Sequence, residues 1–196
     1  MESDQRFKGK TIVITGAGGN FGREGCVFFA CRGAKVVALD LNEKALEETV
    51  ADVKSKLALL NLKSENVIQT MKCDVTNVDS VDSAMDAAIQ TYGSIDMLWN
   101  NAGYQGQIKP TLEYDPKDFA NVMSINVTGM FIVMQSAAKR MVETSTSGSD
   151  KIFSIVNTAS VAGLRGTPAM VAYSSSKAAV LAMTISSAKV SMSIFP

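Results

Sequence analysis

Thr11-Ile12-Val13-Ile14-Thr15-Gly16-Ala17-Gly18-Gly19-Asn20-Phe21-Gly22 runs a short apolar stretch straight into a glycine-rich turn, and a helical pattern follows. Four β-branched or apolar residues bounded by a turn read as a buried parallel strand. Glycines at the turn let the backbone bend tightly and approach a ligand, while the next helix offers free N–H groups and its positive dipole end to a pyrophosphate. Asn20 is expected to cap that helix and tolerates left-handed backbone. Gly22 and Gly25 are expected to let it pack closely on the strand. Gly16, Gly18, Asn20, Phe21 and Gly22 are the residues this reading places around a phosphate group. A Walker-type phosphate loop is excluded, since no Gly-Lys-Ser/Thr follows.

The pattern repeats outward from that stretch. Lys35-Val36-Val37-Ala38-Leu39 is a second buried strand, and weaker runs follow at residues 66–71, 95–99 and 152–156. Helical stretches lie near residues 20–32, 43–60, 77–92 and 116–143, with another starting around Tyr173. Alternating strands and helices predict right-handed βαβ units and an α/β fold with a Rossmann-like, doubly wound parallel sheet. Residues 144–150 are rich in Ser, Thr and Gly and predict a surface loop. No internal repeat or domain boundary interrupts residues 1–196, which read as a single domain.

Asp40 closes the second strand eighteen residues beyond Gly22. A carboxylate there accepts hydrogen bonds from both adenosine ribose hydroxyls and repels a 2′-phosphate, so NAD is favoured over NADP. Leu41, next in the chain, falls in the same expected contact. Read alone, the glycine turn fits an ordinary strand–helix connection, and Asp40 fits a helix-capping acid. Strand, turn, helix and acid in this order favour a dinucleotide site.

Composition narrows the chemistry. Nineteen basic residues balance nineteen acidic ones, so no net field favours nucleic acid or an anionic membrane. Histidine is absent, which excludes Ser-His-Asp and Cys-His triads and any His-ligated metal. Cys26, Cys31 and Cys73 show no metal or redox spacing and predict reduced, buried thiols. The N-terminus lacks the apolar segment of a signal peptide, and no apolar run is long enough for a bilayer. A cytoplasmic protein without membrane or nucleic-acid partners is the expectation.

Tyr173 and Lys177 stand one turn apart on one helix face. Ionising a phenol of pKa near 10 at pH 7 costs about 4 kcal/mol unless a cation helps, and Lys177 is placed to do so. Ser160, just past the fifth strand, is placed to hydrogen-bond a substrate oxygen. Asn126 lies on the apolar stripe of the 116–141 helix, seven residues after Phe119 and seven before Val133, so it needs internal partners. It fits equally a satisfied core amide or a group that positions water for proton exchange with Lys177. Gly129, in the same helix, implies close approach of another element. Alone each residue is commonplace; together they form a proton-transfer set beside a nucleotide turn.

These motifs, in this order, resemble those of the short-chain dehydrogenase/reductase family. Thr15-Gly16-x-x-x-Asn20-x-Gly22 resembles its phosphate turn, with Asn20 in place of the usual middle glycine. Asp74 and Val75 in Cys73-Asp74-Val75 match its adenine-side acid and neighbour. Asn100-Asn101-Ala102-Gly103 matches the stretch after its fourth strand, which brings Asn101, Ala102 and Gly103 to the cofactor. Asn126, Ser160, Tyr173 and Lys177 match the catalytic tetrad. The resemblance covers residues 8 to about 185.

It implies metal-free hydride transfer between nicotinamide and a small-molecule alcohol or ketone, with Tyr173 as acid–base and Lys177 also on the nicotinamide ribose. It also implies a homodimer or homotetramer built through the helices of Asn126 and Tyr173. Asn20 and the Asn101-to-Gly106 run are similar to those of NAD-dependent dehydrogenases of secondary, cyclic or polyhydric alcohols, with Tyr104, Gln105, Met170 and Val171 as pocket candidates. Beyond residue 185 the pattern diverges: family members continue into a sixth and a seventh strand, and residues 190–196 alternate like a remnant of the sixth. A shortened chain that binds a dinucleotide, or a partner, without turnover is the alternative expectation.

Overall fold

Strand and helix alternate as the apolar runs require. The computed structural model describes residues 4–145 and 152–194. The strands are β1 (Thr11–Thr15), β2 (Lys35–Asp40), β3 (Ile68–Lys72), β4 (Met97–Asn100) and β5 (Ser154–Asn157). They form one parallel sheet in the order β3-β2-β1-β4-β5. Central β1 is buried along its whole length, whereas the two outer strands are partly exposed.

Side chains alternate across the sheet and split the core into two layers. Val13, Val37, Leu39 and Leu98 face one side, where they pack with Val81 and Met85 of α3 (Val78–Tyr92) and Val133 and Met141 of α5 (Met130–Glu143). Ile12, Ile14, Val36 and Ala38 face the other, against α1 (Asn20–Ala30) and α2 (Glu43–Leu59). Helices on both faces of a parallel sheet are the doubly wound arrangement.

Local chemistry sets the helix ends. Asn42 accepts from Ala45 N–H at 3.2 Å to start α2, and Asn77 accepts from Ser80 N–H at 2.9 Å to start α3. Pro116 opens α4 (Pro116–Met123) behind the Asp115 cap. The expected single helix over 116–143 is instead α4, a π-helical turn (Ser124–Gly129) and α5. A short helix α6 (Ala162–Arg165) precedes α7 (Val171–Ile194).

One further expectation needs correction. The strand remnant at 190–196 is, through Ile194, the continuation of α7, because neither Gly nor Pro occurs from Val171 to Ile194 to stop the helix. Most of the loop expected over 144–150 lies outside the described residues. No described helix is long and apolar enough to cross a membrane.

Sheet order reverses direction between β1 and β4: the chain runs outward through β2 and β3, then returns to the other side of β1. A crevice opens at the carboxyl ends of strands at such a switch point. The cleft described next opens at that end.

Candidate functional site

The floor of the crevice is the turn after β1. Gly16 has φ +64°, and a Cβ there would lie 2.9 Å from Ala102 Cα, so the residue must be glycine on two counts. Asn20 is not the cap of α1. Gly19 occupies that position with extended backbone and no side-chain cap bond, and Asn20 is the first helical residue. The first intrahelical bond is Arg23 N–H to Gly19 O at 2.8 Å. With no side chain capping them, the first-turn N–H groups suit an anion. Gly22 and Gly25 pack against the Gly16 carbonyl and the Trp99 ring respectively.

Asp40 lines the same crevice. Its Oδ2 accepts from Gly18 N–H and its Oδ1 from Asn42 N–H, both at 2.9 Å. The capping role for Asp40 is overturned: Asn42 caps α2, and Asp40 ties the strand end to the glycine turn. Each oxygen keeps lone pairs for further donors. Leu41 beside it is exposed. Asp74 follows β3, beside the Asp40 backbone, and accepts from Thr76 N–H at 2.9 Å and its hydroxyl at 2.7 Å. Val75 packs on Gly129, the close approach that the glycine implied.

At the other end the walls come from β4, β5 and α7 around a cleft of about 580 Å³. Thr15 Oγ1 accepts from the N–H groups of Asn101 (2.9 Å) and Ala102 (3.0 Å), which docks the post-β4 segment onto β1. Thr158, just past β5, ties that strand's end to β4 and the segment after it: its Oγ1 accepts from Trp99 Nε1 at 2.9 Å and donates to Asn101 Oδ1 at 3.3 Å. Its carbonyl accepts from Lys177 Nζ at 2.6 Å.

Lys177 is 3% exposed, and its ammonium lies 5.7 Å from the centre of the Tyr173 ring. Burial lowers the Lys177 pKa, and it forms no salt bridge among the described residues. Ser160 Oγ accepts from Ala162 N–H at 3.2 Å, which leaves its own hydrogen free to be donated.

Asn126 is 0% exposed in the π-helical turn. Its Oδ1 accepts from Tyr104 N–H at 2.7 Å, and its Nδ2 donates to Tyr104 O at 2.8 Å and Ser176 Oγ at 2.9 Å. Ser176 Oγ in turn donates to Tyr173 O at 2.8 Å. The internal partners that a buried amide demands are therefore the backbone N–H and C=O of one residue, Tyr104, and one hydroxyl.

Ser160, Tyr173 and Lys177 share the cleft lining with Gly16, Asn20, Phe21 and Asp40, and with Asn101, Ala102 and Gly103. Gly18, Gly22, Leu41, Asp74, Val75 and Asn126 support it from behind or stand outside the lining. Of the pocket candidates, Tyr104 and Gln105 line it, whereas Met170 and Val171 do not. Sequence reasoning missed Gly19, Thr158 and Ala159 as lining residues, and Ser176 as the Asn126 partner. For Thr158 and Ala159 the signal was present: they follow β5 at its carboxyl end. For Ser176 only the fold supplies it.

Residues 10–191 match the family model described as short chain dehydrogenase. The chain belongs to the short-chain dehydrogenase family. It is 33% identical over 183 residues to levodione reductase of Leifsonia aquatica, covering 93% of this chain and 64% of that protein. It is 34% identical over 178 residues to a 2,5-dichloro-2,5-cyclohexadiene-1,4-diol dehydrogenase of Sphingobium indicum, covering 91% and 65%. A crystal structure of NAD+-bound xylitol dehydrogenase superposes with a TM-score of 0.82 at 38% identity, covering 93% of this chain and 65% of that one. The chain thus spans just under two thirds of the length of these relatives.

Proposed function

We propose that the chain is an NAD-dependent oxidoreductase that moves hydride between nicotinamide and a secondary alcohol or ketone, with a cyclic alcohol or polyol as substrate. The observation that carries this reading is Lys177: a buried amine with no carboxylate partner among the described residues, fixed on the Thr158 carbonyl beside the Tyr173 ring. Burying a cation is unfavourable, and a fold keeps one where it serves chemistry.

The turn fits the cofactor. The uncapped α1 N-terminus suits the diphosphate, and Asp40 suits an unphosphorylated ribose, which favours NAD over NADP. When bound, nicotinamide supplies or accepts the hydride. The protein does the rest. In alcohol oxidation Tyr173 takes the hydroxyl proton, and the Lys177 ammonium stabilises the phenolate. Ser160 donates its free hydrogen to the substrate oxygen. The lowered Lys177 pKa matters here, because burial makes its ammonium release a proton more readily than an exposed lysine would. Asn126 acts by holding Tyr104 and, through Ser176, the first turns of α7.

The polyol or cyclic-alcohol assignment is supported by the names of the diol and xylitol dehydrogenases among the relatives. The same reading takes the chain as one domain in a cytoplasmic setting, consistent with three free cysteines. It also includes self-association through α5 and α7, which would cover Phe131, 45% exposed. The decisive experiment is NADH formation at 340 nm with cyclic alcohols and polyols. Turnover that Tyr173→Phe abolishes supports the proposal; no turnover on the whole panel refutes it.

A second reading, dinucleotide binding without turnover, draws on the other face of the sheet. There an apolar groove between α1 and β5, lined by Phe28, Trp99 and Val156, adjoins the cleft through Phe21 and Trp99. Quenching of Trp99 by NAD without turnover would favour it.

A further inference from the structure

Between β4 and α4 the chain has only one short 3-10 turn (Thr111–Glu113), yet it is fastened at two points. Asn126 holds both backbone polar groups of Tyr104, its N–H and its C=O. Asp118 on α4 forms the second fastening. Its Oδ2 accepts from Tyr114 Oη at 2.7 Å and Gln107 N–H at 2.8 Å, and its Oδ1 accepts from Tyr104 Oη at 3.2 Å. Gln107 N–H also donates to Tyr114 Oη at 3.1 Å.

Gly106 fits inside this clamp at φ +73°. A Cβ there would meet Tyr114 Oη and Val122 Cγ2 at 2.5 Å and Asp118 Oδ2 at 2.9 Å. Burial and the Asp118 side chain push Tyr114 up to about 12, so its phenol stays a donor, while the Tyr114 hydrogen bond helps hold Asp118 low and ionised. The result is a fixed turn at residues 104–107 that carries Tyr104 and Gln105 on the cleft wall. Gln105 is exposed there and forms no hydrogen bond among the described residues. Its amide therefore offers both a donor and an acceptor to whatever enters.

We propose that Asp118 is the positioning residue for this wall, and that Gln105 recognises a second oxygen of the substrate, beyond the one that reacts. The substrate class is then a diol, polyol or hydroxyketone. This rests on the oxidoreductase reading of the cleft. A loop held by one carboxylate and one amide can present a side chain with the precision that recognition needs. Gln105 contributes discrimination; Asp118 acts only through it and Tyr104.

The test uses a matched pair, cyclohexane-1,2-diol and cyclohexanol, which differ by one hydroxyl. Affinity of each for the full chain preloaded with NADH is measured by calorimetry, and turnover with NAD is followed separately. The native chain is expected to prefer the diol, and Gln105→Leu to reduce that preference about tenfold, the equivalent of one hydrogen bond. Asp118→Asn is expected to reduce it in the same direction and to speed amide hydrogen exchange at residues 104–107, with NADH affinity retained. Tyr104→Phe serves as the milder variant should Asp118→Asn unfold.

A preference unchanged in Gln105→Leu, exchange unchanged in the clamp variants, or a native chain that binds both alcohols equally would each overturn the proposal. Diol preference lost in Gln105→Leu without any turnover in the native chain would uphold it, while removing the oxidoreductase reading.

Discussion

Replacing Gly25 by alanine tests how α1 is seated, because the opposing effects can be weighed. In a helix interior alanine is favoured over glycine by about 1 kcal/mol. Here the new methyl would overlap the Trp99 ring, meeting Cζ3 and lying 2.8 Å from Cε3. Trp99 cannot swing away freely, since its Nε1–H is bonded to Thr158 at 2.9 Å. Overpacking of this kind costs about 1–3 kcal/mol, and a lost hydrogen bond adds about 0.5–1.5 kcal/mol. After the propensity gain is subtracted, Gly25→Ala should destabilise by about 0.5–3.5 kcal/mol.

Urea unfolding followed by circular dichroism measures this. Emission from Trp99, the single tryptophan, reports whether the indole moves. A double-mutant cycle with Trp99→Leu sharpens the test, because removing the ring should turn Gly25→Ala neutral or stabilising. If Gly25→Ala stabilises the native chain, or if the two substitutions are additive, the packing argument is wrong.

Tyr173→Phe should lower kcat by about 10²–10⁴-fold with NAD affinity retained, and a smaller loss would remove the phenol from the proton path. Asp40→Ser should raise the ratio of NADP to NAD affinity, measured by titration of both, since it removes the charge that repels a 2′-phosphate. Burial pushes the Cys26 thiol up from 9.0 to about 12. Its contribution to stability is thus complete below about pH 9 and lost as pH rises toward 12, which denaturation midpoints across that range will show. Under native conditions Cys31 should react with a thiol reagent before Cys26 and Cys73, because it alone is not buried; modification of Cys26 first would contradict this.

Sheet and helix layers were legible wherever periodicity was strong. β1 and β2 emerge at nearly the expected residues because both are buried on two faces and read as unbroken apolar runs. β3, β4 and β5 each begin two residues later than expected, since strands not buried on both faces carry weaker patterns. Cap chemistry misled at Asn20, because capping preference is a local signal, and the turn instead seats Gly19 there to leave the helix end bare. Nothing in the sequence periodicity marks the π-helical turn. At the site, Tyr173 and Lys177 were readable only together with the glycine turn, Asn126 and Ser160, since their spacing alone is commonplace, while Thr158 as the lysine's anchor and the Asp118 clamp depend on contacts between distant segments.

The widened turn at Ser124–Gly129 also fixes how the long α4–α5 rod can evolve. A π turn holds more residues per revolution than the flanking α-helix, so it sets the rotational phase between Val122 on one side and Val133, Ala137 and Met141 on the other. Forcing the same six residues into regular α geometry would swing one half by about 100° relative to the other. Either Asn126 would lose Tyr104 or the methionine and valine face would turn away from the sheet. Length and turn geometry are therefore coupled at this point: a one-residue deletion keeps the phase only if the turn becomes α-helical, and a change that straightens the turn at unchanged length does not.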